Sequence, residues 1–183
     1  MQKFITITIL ITALCFQLNV HANQMVNITG RLLDESKLPL SNVTISLNDK
    51  SVTSDKQGQF NIATVTKDIY QLNFVKKGYF KNIQTFSHHE LFVQKKEKAN
   101  AVIADLTLVS KKTKRVMLAF GGDVMMDRRY YKPYFGDSIL IHPETRLSDS
   151  KAIVENIKPY MSIADYAAVN LETQIADKTP GER

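Results

Sequence analysis

The chain shows two successive patterns of apolar and polar positions. In its first half, short stretches alternate apolar and polar residues with a period of two, and turn residues separate them. This alternation is typical of strands that bury one face. The stretches cover residues 26–33, 43–47, 52–60, 70–75 and 101–109. Their number and spacing predict a small all-β sandwich over residues 25–110.

The alternation also predicts which side chains face the core of this sandwich. We expect the apolar residues of each stretch to point inward. Gly58 is expected to open the polar turn before the inward Phe60. Gly30 is expected to mark a bulge in the first stretch. The predicted core side chains are Val43, Ile45, Leu47, Phe60, Ile62, Tyr70, Leu72 and Phe74.

The pattern changes at residue 116. Two continuous apolar runs, 116–120 and 166–171, each predict a short strand that needs cover on both faces. Between them, apolar residues at 153, 154 and 157 share one helical face after candidate N-caps at 148–150, and Pro159 is expected to bend or end that helix. A right-handed strand–helix–strand unit makes the strands parallel neighbours. Because one helix covers one face only, we expect an exposed apolar patch and rapid amide exchange across 116–183.

Polar side chains lie where these two runs end. Asp123 comes after the first run, and Asn170 and Glu172 lie at the end of the second. The carboxyl ends of parallel strands meet at one edge, where open α/β folds bind ligands. These side chains therefore have the oxygen atoms to hold one hard cation or contact one substrate. In the alternative interpretation Asp123 only caps its turn, and Arg128 pairs with an acid such as Asp127.

The N-terminus predicts export. Lys3 precedes an apolar segment, residues 4–16, which is too short to span a bilayer. Residues 20–22, Val-His-Ala, offer a signal-peptidase site, so we assign residues 1–22 to a signal peptide. Cys15 is the only cysteine and would be removed with that peptide, so the mature chain has no disulfide.

Charge and composition narrow the class of partner. The sequence is 44% hydrophobic and 23% charged, as in ordinary globular proteins, and its net charge is +6. The lysines occur in short runs near residues 76, 95 and 111 without interleaved aromatic residues. This spacing favours solubility and linker charge over nucleic-acid binding. An anionic extracellular polymer is the partner for which the charge would be functional.

The first half resembles a known module. The ordered segments G-R-L-L-D, L-P-L-S-N-V-T-I-S-L, T-S-D-K-Q-G-Q-F-N-I and Y-Q-L-N-F-V-K-K-G-Y-F resemble the carboxypeptidase regulatory-like, transthyretin-like sandwich of exported bacterial proteins. The resemblance implies an accessory module that helps a neighbouring domain fold or contacts glycans, proteins or the cell surface. His88, His89 and Glu90 suggest a metal site, but neighbouring strand residues point to opposite faces, so we interpret them as a loop.

The second half resembles another family. The segments A-F-G-G-D-V-M-M-D-R and K-P-Y-M-S-I-A-D-Y-A-A-V-N-L-E-T resemble the opening of the CapA family of capsule and poly-γ-glutamate synthesis proteins, whose fold is similar to metallophosphoesterases. The family pattern G-D-x-x-x-x-R falls on Gly122, Asp123 and Arg128, and N-L-E-T begins at Asn170. A later G-N-N-H element of the family does not occur before Arg183. The resemblance therefore covers only the first part of the family domain.

Together these observations predict a β-sandwich followed by an incomplete α/β, metallophosphoesterase-like domain. The predicted divisions are a sandwich at 25–110, a basic linker at 111–115 and a truncated CapA-like part at 116–183. The CapA resemblance implies catalytic roles for Asp123 and Arg128 and a divalent metal ion at Asp123, Asn170 and Glu172. The resemblance implies at most a metallophosphoesterase-like hydrolase activity for the protein, and we expect this chain alone to be inactive.

The expected function is capsule or poly-γ-glutamate biosynthesis or processing by an exported protein. Its expected partners are an anionic capsule polymer or cell-wall component and cell-envelope assembly proteins, without nucleic acid. The alternative is a non-catalytic module that binds or anchors at the cell surface.

Overall fold

The computed structural model describes residues 24–112, 114–126, 130, 136 and 138–172. The predicted signal peptide, residues 1–22, lies outside them. Within the described ranges no helix is long and apolar enough to cross a membrane.

Residues 24–112, as the structure describes them, contain eight strands. They are β1 (Met25–Leu33), β2 (Thr44–Leu47), β3 (Lys50–Thr53), β4 (Gln59–Val65), β5 (Ile69–Val75), β6 (Asn82–Ser87), β7 (Asn100–Val102) and β8 (Leu106–Thr107). A π-helical turn, His89–Val93, connects β6 to the last two strands.

The eight strands form two sheets around one core. In the first sheet β1 pairs antiparallel with β4 and parallel with both β7 and β8. The second sheet is antiparallel and has the order β3-β2-β5-β6. Phe60 of the first sheet and Phe74 of the second meet edge to face, with ring centroids 5.9 Å apart. The protein is therefore β-rich, as predicted.

The predicted core side chains are all buried. Tyr70, Leu72 and Phe74 are 0% exposed, and the other predicted positions are at most 5% exposed. Side chains two residues apart in a strand share a face, so a local pattern was enough to identify them.

Two expectations for the first half were wrong in detail. The register of β1 with β4 runs without a bulge through Gly30. A Cβ at Gly30 would lie 2.6 Å from Ile103 Cγ1, so the glycine instead makes room for that buried side chain. The predicted closing strand at 101–109 is two short strands, β7 and β8, with residues 103–105 between them outside any strand.

The histidine pair lies where β6 gives way to the π-helical turn. His88 Nδ1 lies 3.1 Å from the hydroxyl of Tyr70, and its ring stacks on Phe92 with centroids 4.9 Å apart. His89 begins the π-helical turn. His88 thus shares the hydroxyl of the buried Tyr70 with the Lys67 backbone N–H, which donates to it at 3.1 Å, a role that the loop interpretation did not foresee.

The second half contains β9 (Leu118–Val124), α1 (Arg146–Glu155), α2 (Lys158–Met161) and β10 (Tyr166–Leu171). β9 and β10 pair parallel, as expected for a strand–helix–strand unit. The described residues do not show the rest of a metallophosphoesterase-like α/β domain. Helix α1 starts earlier than predicted, after Thr145, and Pro159 stands in the first turn of α2, where its missing N–H costs no hydrogen bond.

The two faces of the β9–β10 pair differ. On one face a Cβ at Gly121 would lie 2.7 Å from Val169 Cγ1 and 3.7 Å from Met161 Cε, so α2 packs closely there. On the other face Leu118, Phe120 and Tyr166 are 52%, 77% and 69% exposed. The predicted apolar patch is therefore present in the described part of the chain.

Arg115, the last residue of the predicted linker, contacts the sandwich. The backbone N–H and hydroxyl of Ser110 donate to Glu35 Oε2 at 3.0 and 2.6 Å, and Arg115 donates to Glu35 Oε1. These bonds, led by the Ser110 hydroxyl, lower the pKa of Glu35 to about 2. Farther along, the Gln71 amide donates to the Tyr160 hydroxyl at 2.9 Å. The chain after the sandwich therefore contacts it at two places, through Arg115 and through Tyr160.

Candidate functional site

Strands β9 and β10 position the predicted site residues. β9 is longer than predicted and continues through Gly121 and Gly122 to Val124. Asp123 thus lies within the strand and not after it. The parallel register aligns Asp123 with Asn170 after an irregularity between Ala168 and Asn170. This register brings the two polar side chains to neighbouring places.

Asp123 and Asn170 are in direct contact. The Asn170 amide nitrogen Nδ2 donates to Asp123 Oδ1 at 2.7 Å. Both residues are exposed to solvent. The contact leaves Asp123 Oδ2 and the amide oxygen of Asn170 as further acceptors, because a carboxylate and an amide have more acceptor positions than this bond uses.

Glu172 follows directly after β10 and is exposed. Its backbone N–H donates to the carbonyl oxygen of Val124 at 3.1 Å, which extends the ladder one residue beyond the paired strands. Val124 is the neighbour of Asp123 in β9, so both acids are at the same end of the two-stranded sheet.

Arg128, the other predicted catalytic residue, lies outside the described residues, as does its alternative partner Asp127. Its role stays a prediction. The described ranges contain no group of three or more His, Cys, Asp and Glu side chains that could hold a metal ion. The donors in this region are the two carboxylates and the amide.

His142 is a surface residue in the loop before α1, with its side chain 48% exposed. Asp149 Oδ2 accepts from the His142 backbone N–H at 2.9 Å and from the Thr145 hydroxyl at 2.7 Å, and lies 3.0 Å from His142 Nδ1. These contacts, led by the His142 backbone bond, lower the pKa of Asp149 to about 2. The Asp149 carboxylate thus links the preceding loop to the first turn of α1 by hydrogen bonds, at a place where the helix dipole favours negative charge. The spacing of four residues between Thr145 and Asp149 is the sequence signal from which their contact could have been predicted.

The described residues also form a cleft that does not involve Asp123. It has a volume of about 640 Å³ and lies at β1, β3 and β4 in the sandwich. An exposed ion pair between Arg31 and Asp105 stands on its wall, beside the polar side chains of Gln59 and Asn61. This cleft has hydrogen-bonding groups, and the acids in its lining are Asp55 and Asp105.

The site lies in a segment that is similar to a capsule-synthesis family. Residues 117–183 match the family model of the bacterial capsule synthesis protein PGA_cap. The matched range contains all four predicted site residues. The match supports a capsule synthesis domain of the CapA type in this part of the chain, and with it an involvement in capsule synthesis. No curated protein matches the chain.

Two of the similar solved structures show distant likeness. A 3-chlorocatechol 1,2-dioxygenase from Rhodococcus opacus 1CP is 10% identical with a TM-score of 0.38, and the match covers 49% of this chain and 60% of that one. The TIE protein of Bacillus anthracis is 16% identical with a TM-score of 0.35, over 56% of this chain and 19% of that one. The chain spans less than two thirds of either protein, and scores this low carry no conclusion about function.

Proposed function

We propose that this chain is an exported protein of capsule synthesis that acts on, or assists the assembly of, an anionic capsule polymer such as poly-γ-glutamate. In this proposal Asp123, Asn170 and Glu172 hold a divalent cation. The observation that supports it best is the 2.7 Å contact between Asn170 and Asp123 at neighbouring positions of two parallel strands. That contact lies inside the segment similar to the capsule synthesis family.

The chemistry of the donors suits a hard cation. Carboxylate and amide oxygens are ligands of Mg²⁺, Mn²⁺ and Ca²⁺, and Mg²⁺ keeps several of its own waters in protein sites. Two carboxylates and one amide are therefore enough for an open site, in which water or polymer groups complete the coordination. A bound cation would offset the negative charge of a polymer carboxylate or phosphate, and Arg128 would pair with such a group bidentately.

The net charge and the predicted signal peptide are consistent with this proposal. A chain with 24 Lys and Arg against 18 Asp and Glu attracts polyanions over a distance set by the ionic strength. Export would place the protein where capsule polymer is assembled. We propose the carboxypeptidase regulatory-like sandwich as its accessory module.

Calorimetric titration of the mature chain with Mn²⁺ and with Mg²⁺ tests the cation site. We expect Asp123→Asn and Glu172→Gln to weaken binding at least about tenfold, because each removes an anionic ligand. Asp49→Asn is the matched control, since Asp49 is an exposed acid in the turn between β2 and β3. Equal affinity for all these variants and the unchanged chain would reject the site.

The cleft in the sandwich favours a second function, that of a non-catalytic surface-binding module. Its wall carries the exposed amides of Gln59 and Asn61 next to the Arg31–Asp105 pair. Amides and ion pairs of this kind bind hydroxyl-rich or charged polymers. Polymer binding by the full chain separates the two functions. If the double variant Gln59→Ala with Asn61→Ala loses polymer binding while Asp123→Asn keeps it, the result favours the binding module. The reverse result favours the site on β9 and β10.

A further inference from the structure

The fold brings two lysine runs of the sequence together. Residues 78–80 run antiparallel to residues 109–111, with the N–H of Phe80 donating to the carbonyl of Val109 at 2.8 Å and the N–H of Lys111 donating to that of Gly78 at 2.7 Å. The run around Lys77 thus lies beside the run that begins at Lys111. These lysines are about thirty residues apart in the sequence, so their proximity arises only in the folded chain.

A groove opens beside these lysines, where the sandwich meets the second half of the chain. Its volume is about 450 Å³, within the range of about 300–1,000 Å³ that is usual for small-molecule sites. We call it the junction groove. Its lining residues are Phe80, Val109, Lys114, Arg115, Val116 and Met117.

The groove has an apolar wall and a cationic end. Val109 and Val116 are 43% and 59% exposed, which leaves apolar surface open to a ligand. The ammonium group of Lys111 lies 5.2 Å from the centroid of the Phe80 ring, a lining residue of the groove, and forms a cation–π contact with that ring. Lys114 lines the same groove and has a left-handed backbone, with φ at 69°.

One cation of the groove is already neutralised. Arg115 pairs with Glu35, the acid that also binds Ser110. Among the described residues, none of the ion pairs includes Lys111 or Lys114. These two exposed lysines therefore keep a positive charge that a ligand can pair with.

We propose that the junction groove binds a single-chain anionic amphiphile. Its phosphate or carboxylate head would contact Lys111 and Lys114, and its hydrocarbon chain would cover the apolar wall. A purely anionic polymer would use the lysines but would leave the valines and the edge of Met117 in water. An uncharged chain would cover the wall without a partner for the ammonium groups. This inference is separate from the proposed function, since none of the residues of the β9–β10 site takes part in it.

Titration calorimetry of the mature chain with three probes tests the proposal. Dodecyl phosphate, kept below its micelle concentration, has both head and chain, whereas inorganic phosphate has only the charge and dodecyl maltoside only the chain. We expect dodecyl phosphate to bind at least about tenfold more tightly than either of the others. Equal binding of dodecyl maltoside, or equal binding of phosphate, overturns the proposal.

Variants then locate the binding. The double change Lys111→Gln with Lys114→Gln should lower dodecyl phosphate affinity at least about tenfold, and Val116→Ser should lower it severalfold with the charge unchanged. The matched control is Lys50→Gln with Lys67→Gln. It removes the same charge from two exposed positions outside the groove lining, Lys50 at the start of β3 and Lys67 before β5. An equal effect of the control pair overturns the proposal.

One rival site and two rival ligands have their own signatures. Amphiphile binding that survives the Lys111 and Lys114 changes but is lost on Phe120→Ser would belong to the exposed face of β9 and β10, and would refute the junction groove. Tighter binding to poly-γ-glutamate than to dodecyl phosphate would assign the lysines to a polymer. Binding to anionic phosphatidylglycerol vesicles with none to the monomeric probe would assign them to a membrane surface.

Discussion

Gly58 offers a sharp test of how the turn between β3 and β4 stabilises the sandwich. Its backbone is left-handed, with φ at +73°, and a Cβ built there would lie 2.3 Å from the backbone oxygen of Leu32. That same oxygen accepts the N–H of Leu40 at 2.9 Å, and the N–H of Leu32 donates to the Gly58 oxygen at 2.8 Å. We therefore expect Gly58→Ala to disturb both the backbone conformation and two hydrogen bonds.

The magnitude follows from these separate effects. A left-handed backbone costs an alanine about 1–2 kcal/mol. The overlap is with a backbone atom, so no side-chain rotation relieves it, and displacement of the Leu32 oxygen weakens hydrogen bonds that each contribute about 1 kcal/mol. We expect Gly58→Ala to lower the free energy of unfolding by about 3–4 kcal/mol. This is a large part of the total stability of about 5–15 kcal/mol that is usual for a domain.

Gly78 provides the matched control. Its φ is +83°, and nothing lies within 4 Å of a Cβ built there. Gly78→Ala should therefore lose only the backbone part, about 1–2 kcal/mol. Urea unfolding followed by far-UV circular dichroism measures both variants, with unchanged m-values as the check on two-state behaviour. Equal losses for the two glycines would refute the steric reasoning at Gly58.

Three further predictions follow from the described contacts. Ser54→Ala should lower the free energy of unfolding by about 1–3 kcal/mol in urea titrations, because the buried hydroxyl joins the Val43 N–H to the Leu40 carbonyl; an unchanged midpoint would contradict this. The pKa of Glu35 is lowered from 4.5 to about 2, so its stabilisation is present above pH 4.5 and is lost as the pH falls towards 2. Glu35→Gln should make the thermal midpoint less dependent on pH across that window, and identical pH profiles would argue against it. Amide exchange should be rapid in β9 and β10 and slow in β1 and β5, and equal protection would show that the exposed apolar face has cover.

Local patterns in the sequence were sufficient for much of the sandwich. The two-residue period identified the buried faces of β2, β4 and β5, and every predicted core side chain there is buried. The strand–helix–strand order of the second half also followed from local apolar runs. Both predictions succeed because the side-chain direction of a strand or helix repeats over a few residues.

Strand boundaries and special glycines were less predictable. The pattern indicated a bulge at Gly30, whereas the structure uses this glycine to admit Ile103 from a distant part of the chain. The apolar run before Gly121 indicated a strand end, yet β9 continues to Val124 because β10 pairs with it as far as Leu171. In each case a neighbour remote in sequence decided the outcome.

The sequence by itself determined the candidate donors, Asp123, Asn170 and Glu172, and the two lysine runs, because residue type and local spacing are written in the chain. Only the tertiary structure decided which of these groups meet. Parallel pairing in one register placed Asn170 against Asp123, and the pairing of residues 78–80 with 109–111 formed the junction groove. Such contacts depend on hydrogen-bond register and packing between distant segments, which a short sequence window does not contain.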